Sequence, residues 1–383
     1  MSNTIILRGI AWDHPRGYEP LRATSLAFAK KQGNVHIEWD VRSLKEFGDM
    51  PIENLIEHYD LITIDHPYMG QAFANKLLLP LEEMISDTFL EALSEQSVGP
   101  SFGSYDYKNH IYALPIDAAA LVAASRNDLM EKYQLVFPKT RQQLLGFYQL
   151  IPKDHSVAWP LCPTDLWCTF LTLCAQDAGN DFIKDRSIDE KVGIAVLNEL
   201  KYHLGHLHPQ SLQWNPIQIL DRMANEDSIV YSPFLFGYTN YSREGYAKNK
   251  VNFSNSPINP ATDVSTILGG VGLAVSSNSI HKELAVAYAI FTAKAETQKG
   301  IYTQNGGQPG NLMAWLSETN NGLCDNFFAH TMRTMQRAYV RPRHAGWNEF
   351  QEQGADLLHN GLLKDLSSDQ MIKGLNQLYK NMA

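Results

Sequence analysis

Residues 269–309, GGVGLAVSSNSIHKELAVAYAIFTAKAETQKGIYTQNGGQP, constrain the fold more than any other stretch of the chain. The run from Gly269 to Ser276 is apolar and punctuated by glycine, so it reads as a buried strand. A polar turn follows, then an amphipathic helix from about His281 and a second short helix around Ala295 to Tyr302. Gly306 to Pro309 closes the unit with a turn. A late strand that feeds helices in this way has to pair with strands made much earlier.

Those earlier strands are legible. In the first hundred residues strand and helix signals alternate, as in a parallel α/β sheet. Strands are expected at Ile5 to Ala11, Val35 to Val41 and Asp60 to Asp65, with helices at Pro20 to Lys31, around Ile52 to His58 and from near Gln71. Between Tyr105 and Arg126 a strand ends at Pro115 and a second extended run covers Ala119 to Ser125. Helices follow at Arg141 to Leu150, with Thr140 as N-cap, and near Asp165–Asp177, Asp189–His203 and Pro216–Asn225. Short strands are expected at Ser156 to Leu161, Ser228 to Ser232 and Val251 to Ser254. From Leu312 the chain reads as helical: Leu323 to Arg337, Trp347 to His359 and Ser368 to Asn381.

A chain of 383 residues exceeds one ordinary core and suggests two compact units. No low-complexity or charged linker separates them, so the units are joined by structured crossings. The composition, 44% hydrophobic and 19% charged, is that of a soluble globular protein. A net charge of -9 argues against general nucleic-acid binding, which needs a basic surface. No apolar run reaches the roughly 20 residues of a bilayer span. Cys162, Cys168 and Cys174 lie in or just before an apolar helical stretch and are expected as free buried thiols.

In open α/β sheets ligands sit beyond the carboxyl ends of the strands, and unusual chemistry falls there. After the first strand comes WDHPRGY, with Trp12, His14, Arg16 and Tyr18 as candidate ligand residues. Aromatic faces suit sugar rings, and Arg16 suits a carboxylate or hydroxyls held by two donors. A solvated loop with Trp12 plugging a core is the plainer reading of the same residues. After the third strand, IDHPYMG presents Asp65 and His66, where a buried carboxylate needs a partner or caps the next helix. Asp117, in ALPID, has a similar choice between holding a crossing together and touching ligand. Later, WPLCPTDLW offers Asp165 and Trp167, and IVYSPFLFGYTNYS offers Tyr231 and Phe234 within an aromatic cluster that could equally be core. Gly270 allows close backbone approach.

The order of these elements, together with the 269–309 unit, resembles the extracellular solute-binding proteins of ABC importers, especially the sugar-binding family related to maltose-binding protein. The resemblance covers essentially the full chain and rests on the order of elements together with short patches. It implies an α/β, two-lobed, periplasmic-binding-protein-like (type II) fold with hinge crossovers and a helical C-terminal part. The N-lobe would comprise residues 1–117 plus 265–312, and the C-lobe 118–264 plus 313–383. The strand at 269–276 would return the chain to the first lobe. The second-lobe aromatic loops would form ligand platforms, and Gln308 would contribute to the cleft. RPRHAGW, with Arg341 and Arg343, resembles a late family patch and is assigned to structural salt bridging.

The function so implied is capture of a small polar ligand, a sugar or polyol, by a monomer that presents it to a membrane permease. No catalytic residue, cofactor, metal or nucleic-acid partner is expected; Arg16 with His14 leaves an acidic ligand open. The compartment implied is periplasmic or at the extracellular face. TIILRGIAW follows Met1 almost at once, where a secreted precursor would carry an apolar signal segment. A cytosolic binding protein or enzyme on the same fold therefore stands as the alternative. The thiamine-cleaving thiaminase I uses a cleft cysteine on this fold, and Cys162 is the one cysteine at a cleft-edge position. His203, His206 and His208 close a helix without acidic or cysteine partners at ligand spacing, so they are not read as a zinc site.

Overall fold

The computed structural model describes residues 4–382. Its centre is one mixed sheet. In chain order the strands are β1 (Ile5–Trp12), β2 (Val35–Arg42), β3 (Leu61–Ile64), β4 (Leu114–Ser125), β5 (Ser156–Val157), β6 (Ile229–Phe236), β7 (Asn252–Ser254) and β8 (Leu268–Val275). They are arranged β2-β1-β3-β8-β4-β6-β5, with β7 paired to β4. β1 runs parallel to β2 and β3, while β8 is antiparallel to both β3 and β4.

β4 is the strand that explains the architecture. All twelve of its residues are buried. Its first half pairs with β8 through Leu114 to Ala120, and its second half pairs with β6 through Leu121 to Ser125. Leu114 and Ile116 pack in a core with Leu7, Leu61, Val271 and Tyr288. Ala118, Ala120 and Val122 pack in another with Leu220, Phe253 and Phe328, and Leu121 and Ala123 join a third with Trp159, Trp167 and Trp347. The first core lies on one half of the strand and the other two on opposite faces of its second half, so one strand threads two lobes. Small alanines dominate its middle, which lets layers on both faces approach closely. The sequence reading broke this strand after Pro115. The proline sits at its second residue, beside a register shift against β8, where a missing N–H is tolerated.

Four helices position the side chains near the strand ends: α1 (Pro15–Gln32), α2 (Leu44–Asp49), α3 (Pro163–Ala178) and α4 (Trp347–Leu363). α1 begins five residues before its expected start at Pro20. His14 caps it, accepting the Arg16 N–H at 3.0 Å through Nδ1, and Pro15 occupies the first turn, where no N–H is needed. Pro20 then lies inside the helix and forfeits one bond. Thr140 caps its helix as expected, accepting the Gln143 N–H at 3.1 Å. The helix expected at Ile52 to His58 is only a 3-10 turn at Ile52–Asn54 followed by turns. The strand expected at Ser228 to Ser232 extends to Phe236, bulging between Ser232 and Leu235. Among the described residues no helix is long and apolar enough to cross a membrane.

Candidate functional site

A cavity of about 400 Å3 opens where β1 and β3 end, beside the middle of β4 and the start of β8, against the second body. Trp12 at the end of β1 and Phe47 of α2 form one aromatic wall, with ring centroids 5.5 Å apart. Gly17 makes room for this, because a Cβ there would lie 2.6 Å from the Trp12 ring. Phe236 and Tyr238, at and beyond the end of β6, form the facing aromatic wall. Gly269 and Gly270 carry the backbone of β8 across the floor. Gly270 has φ +119°, and a Cβ on it would sit 2.5 Å from the Asp117 carbonyl oxygen, so glycine is required.

Two ion pairs brace the cavity, one fully and one partly buried. Arg16 donates from Nε to Asp117 Oδ2 at 2.8 Å and from Nη2 to Asp117 Oδ1. Its Nη1 donates to the Gly237 carbonyl at 2.8 Å, and its plane lies 4.7 Å from the Tyr238 ring centre. Burial disfavours the charge on Arg16, but Asp117 outweighs burial and raises its pKa. The second pair joins Asp65, at the end of β3, to Arg341. Burial would push the Asp65 carboxyl up, yet Arg341 and His66 hold it well below the usual carboxylate range. Arg341 also donates to Gln351 Oε1 at 3.0 Å, while its Nε finds no acceptor.

The opposite wall is α3 and α4. Cys162, the residue before α3, donates its thiol hydrogen to Asp165 Oδ2 at 3.0 Å. Burial pushes the Asp165 carboxyl up to about 7, opposed only by that hydrogen bond. Burial and then Asp165 push the Cys162 thiol far up, and burial takes Cys168 up to about 12. Glu352 and Asp356 are exposed at i,i+4 on the cleft face of α4, and Lys45 of α2 stands at the rim.

The structure brings Trp12, Arg16, Asp65, Asp117, Asp165 and Gly270 to this cavity, and places the other candidates elsewhere. His14 caps α1 and packs edge-on against Tyr238; burial, then Arg16, lowers its pKa to about 3. Tyr18 lies under the Arg22 guanidinium instead of in the cleft. His66 is buried with Nδ1 3.0 Å from Asp65, and burial lowers it to about 4. Trp167 is core, packed on Trp347 and Phe350. Tyr231 packs on Phe147 and Phe234 on Trp159, because the bulge between Ser232 and Leu235 breaks the alternation of β6 and turns both into the same core. Gln308 is a strut: its Nε2 donates to the Ala118 carbonyl at 2.8 Å and its Oε1 accepts the Thr239 N–H at 3.3 Å. Arg16 keeps its position but its two-donor grip is taken by Asp117. Of the cavity residues that were not candidates, Phe47 lies just beyond the carboxyl end of β2, a signal the strand-end rule could have flagged, and Glu352 and Asp356 show a visible i,i+4 spacing.

A wider groove of about 780 Å3 runs over the outside near Arg186, Arg337 and Arg343. Its guanidinium groups are engaged: Arg337 by Asp263, Arg186 by the Met382 carbonyl, and Arg343 by the Gly103, Ser104 and Asp106 carbonyls. The histidines of the 203–208 stretch are likewise partnered. His203 meets Tyr148 Oη at 2.9 Å and Glu199 at 3.2 Å, and His208 Nδ1 accepts the Gln210 N–H. Among the described residues no three His, Cys, Asp or Glu side chains are grouped to hold a metal, and all four cysteines are free.

Comparison with known proteins fits this geometry. Across 128 residues the chain is 23% identical to a maltotriose-binding protein of Pyrococcus abyssi, 33% of this chain but only 26% of that relative. The fold superposes on maltose-bound MalE3 of T. maritima with TM-score 0.85, at 17% identity, covering 99% of this chain and 100% of the other. It superposes on a ribitol complex of an ABC transporter solute-binding protein from Agrobacterium radiobacter with TM-score 0.84, at 17% identity over 100% and 99% of the two chains. A D-mannitol-bound solute-binding protein of Agrobacterium vitis gives 0.79 at 14% identity, over 98% and 97%. The family model for the bacterial extracellular solute-binding proteins matches residues 54–319, well over half of the sequence, and the chain belongs to that family.

Proposed function

We propose that this protein captures a small polar ligand, of the sugar or polyol class, in the interlobe cavity and presents it to an ABC-type permease on the outer side of the membrane. The observation that carries this is the composition of the cavity. Aromatic walls face each other across about 400 Å3, a volume in the range of small-molecule sites, with charged groups fixed in ion pairs. The maltose, ribitol and mannitol complexes on the same fold support that ligand class. The lobes divide at 117/118, 264/265 and 312/313, with β4 and β8 as crossings, and they close by hinge motion as a monomer. Chemistry on the ligand plays no part in this reading.

The test is a thermal-shift screen over sugars and polyols, followed by small-angle scattering with each ligand that binds. A ligand that stabilises the fold and shrinks the radius of gyration supports capture. An unchanged interlobe angle with every bound ligand would sink the hinge mechanism.

A further inference from the structure

The charges in the cavity do not balance, and the imbalance selects a ligand. Asp117 is matched by Arg16 in a fully buried pair, and Asp65 by Arg341 in a partly buried one. That leaves three carboxylates, Asp165, Glu352 and Asp356, facing one ammonium, Lys45. No cation lies within ion-pair distance of any of the three carboxylates among the described residues, and Lys45 likewise has no acidic partner. Asp165 is only 8% exposed, and among the described residues its carboxyl's one hydrogen-bond partner is the Cys162 thiol, which binds Oδ2 and leaves Oδ1 unengaged. A buried carboxylate without a cation is costly unless something else supplies the charge. Four aromatic rings line the same space; Tyr238 and Phe47 already hold the Arg16 and Arg42 guanidinium groups, so Trp12 and Phe236 are the ones left to meet a cation or a sugar plane.

Resting on the proposed capture function, we infer that the ligand is a small hydroxylated cation, an amino sugar or other ammonium-bearing polyol, whose positive group sits between Asp165 and the Glu352–Asp356 face of α4. The aromatic walls stack on its carbon skeleton. An acidic ligand is disfavoured, because Arg16 and Arg341 already have carboxylate partners and the remaining field is negative.

Calorimetry with matched triplets tests this: glucose, glucosamine and glucuronate, then glycerol, serinol and glycerate, with choline as a quaternary probe. An ammonium member should bind at least tenfold more tightly than its neutral partner, and its carboxylate partner should not bind. The double variant Glu352→Gln with Asp356→Asn changes exposed side chains and should fold normally. It should lose most of the ammonium preference, and a preference that survives in full would overturn the placement. Raising salt should weaken the ammonium ligand selectively. If neutral members bind as tightly as their ammonium partners, the charge inference fails while capture stands. If no member binds, capture fails and this inference fails with it.

Discussion

Arg16 and Asp117, 101 residues apart, share two hydrogen bonds in a place where neither side chain is more than 4% exposed. The pair pins the start of α1 to β4, and the Arg16 Nη1 carries the link on to Gly237 of the second body. Removing one member strands the other charge in a dry site. Arg16→Met or Asp117→Leu should each cost about 3–5 kcal/mol, and the double variant should be less destabilised than the two losses added. Urea unfolding of all three, read by tryptophan fluorescence, checks this. Additive losses would mean that the two groups do not act as a pair.

Gly270 tests the crossing itself. Its φ of +119° is closed to other residues without strain, and its missing Cβ makes room for the Asp117 carbonyl. Gly270→Ala should lower stability by at least about 2 kcal/mol, from backbone strain before any clash is counted. Gly33, also at positive φ but with open space around it, is the control. Gly33→Ala should cost only the backbone strain, so a loss equal to that at Gly270 would show that the close approach is unimportant.

Much of the fold was readable from sequence, and the reason is local. The helices at 216–225 and 368–381 matched their expected bounds because each has a capping box, at Asn215 and Ser367, that marks its start. β4 was misread because a proline ordinarily ends a strand, and only the pairing partners show that Pro115 sits where its N–H is not needed. The site was less readable. Trp12 and Asp65 could be placed by the strand-end rule, since they end β1 and follow β3. Tyr231, Phe234 and Trp167 looked like cleft aromatics because composition cannot say which face of an element is buried against what. Arg16 looked like a free clamp because its partner lies in a strand a hundred residues on, a contact that no local pattern encodes.

Phe47 is half-buried, so it separates ligand contact from folding better than Trp12 does. Phe47→Ala should leave the melting temperature of the free protein within a few degrees. It should weaken the ligand by about tenfold, or ~1.4 kcal/mol, through loss of one stacking face. An unchanged affinity would remove α2 from the binding surface.

Cys162 is placed where a nucleophile could be, but it is poised against that role. Burial and the Asp165 carboxylate both oppose formation of the thiolate, which is the reactive form. At pH 8 iodoacetamide should alkylate Cys162 more slowly than a free cysteine by at least about tenfold, and Cys162→Ser should keep ligand affinity within a few-fold. Fast alkylation confined to Cys162 would revive the reading of a cleft-cysteine enzyme.

Asp165 makes both stability and binding depend on pH near neutrality. Its folded pKa, about 7, is raised from 3.8, so the fold holds this proton after the unfolded chain has released it. Its favourable contribution is therefore fullest below about pH 4 and is lost as pH rises to about 7, beyond which the burial cost of the anion persists. Asp165→Asn removes that cost and should stabilise the free protein by about 1–3 kcal/mol at pH 8, with little effect at pH 4. A cationic ligand reverses the preference, because it favours the anion over the acid. Cys162 and Cys168 beside Asp165, and Tyr238 across from it, all hold their protons at pH 7, so Asp165 is the group among them that titrates. A ligand of fixed positive charge, such as choline, should then bind more tightly as pH rises from 6 to 8 and release a fraction of a proton at pH 7. Calorimetry in phosphate and in Tris, whose ionisation enthalpies differ, reads that proton directly. Equal enthalpies in the two buffers would place the bound charge away from Asp165.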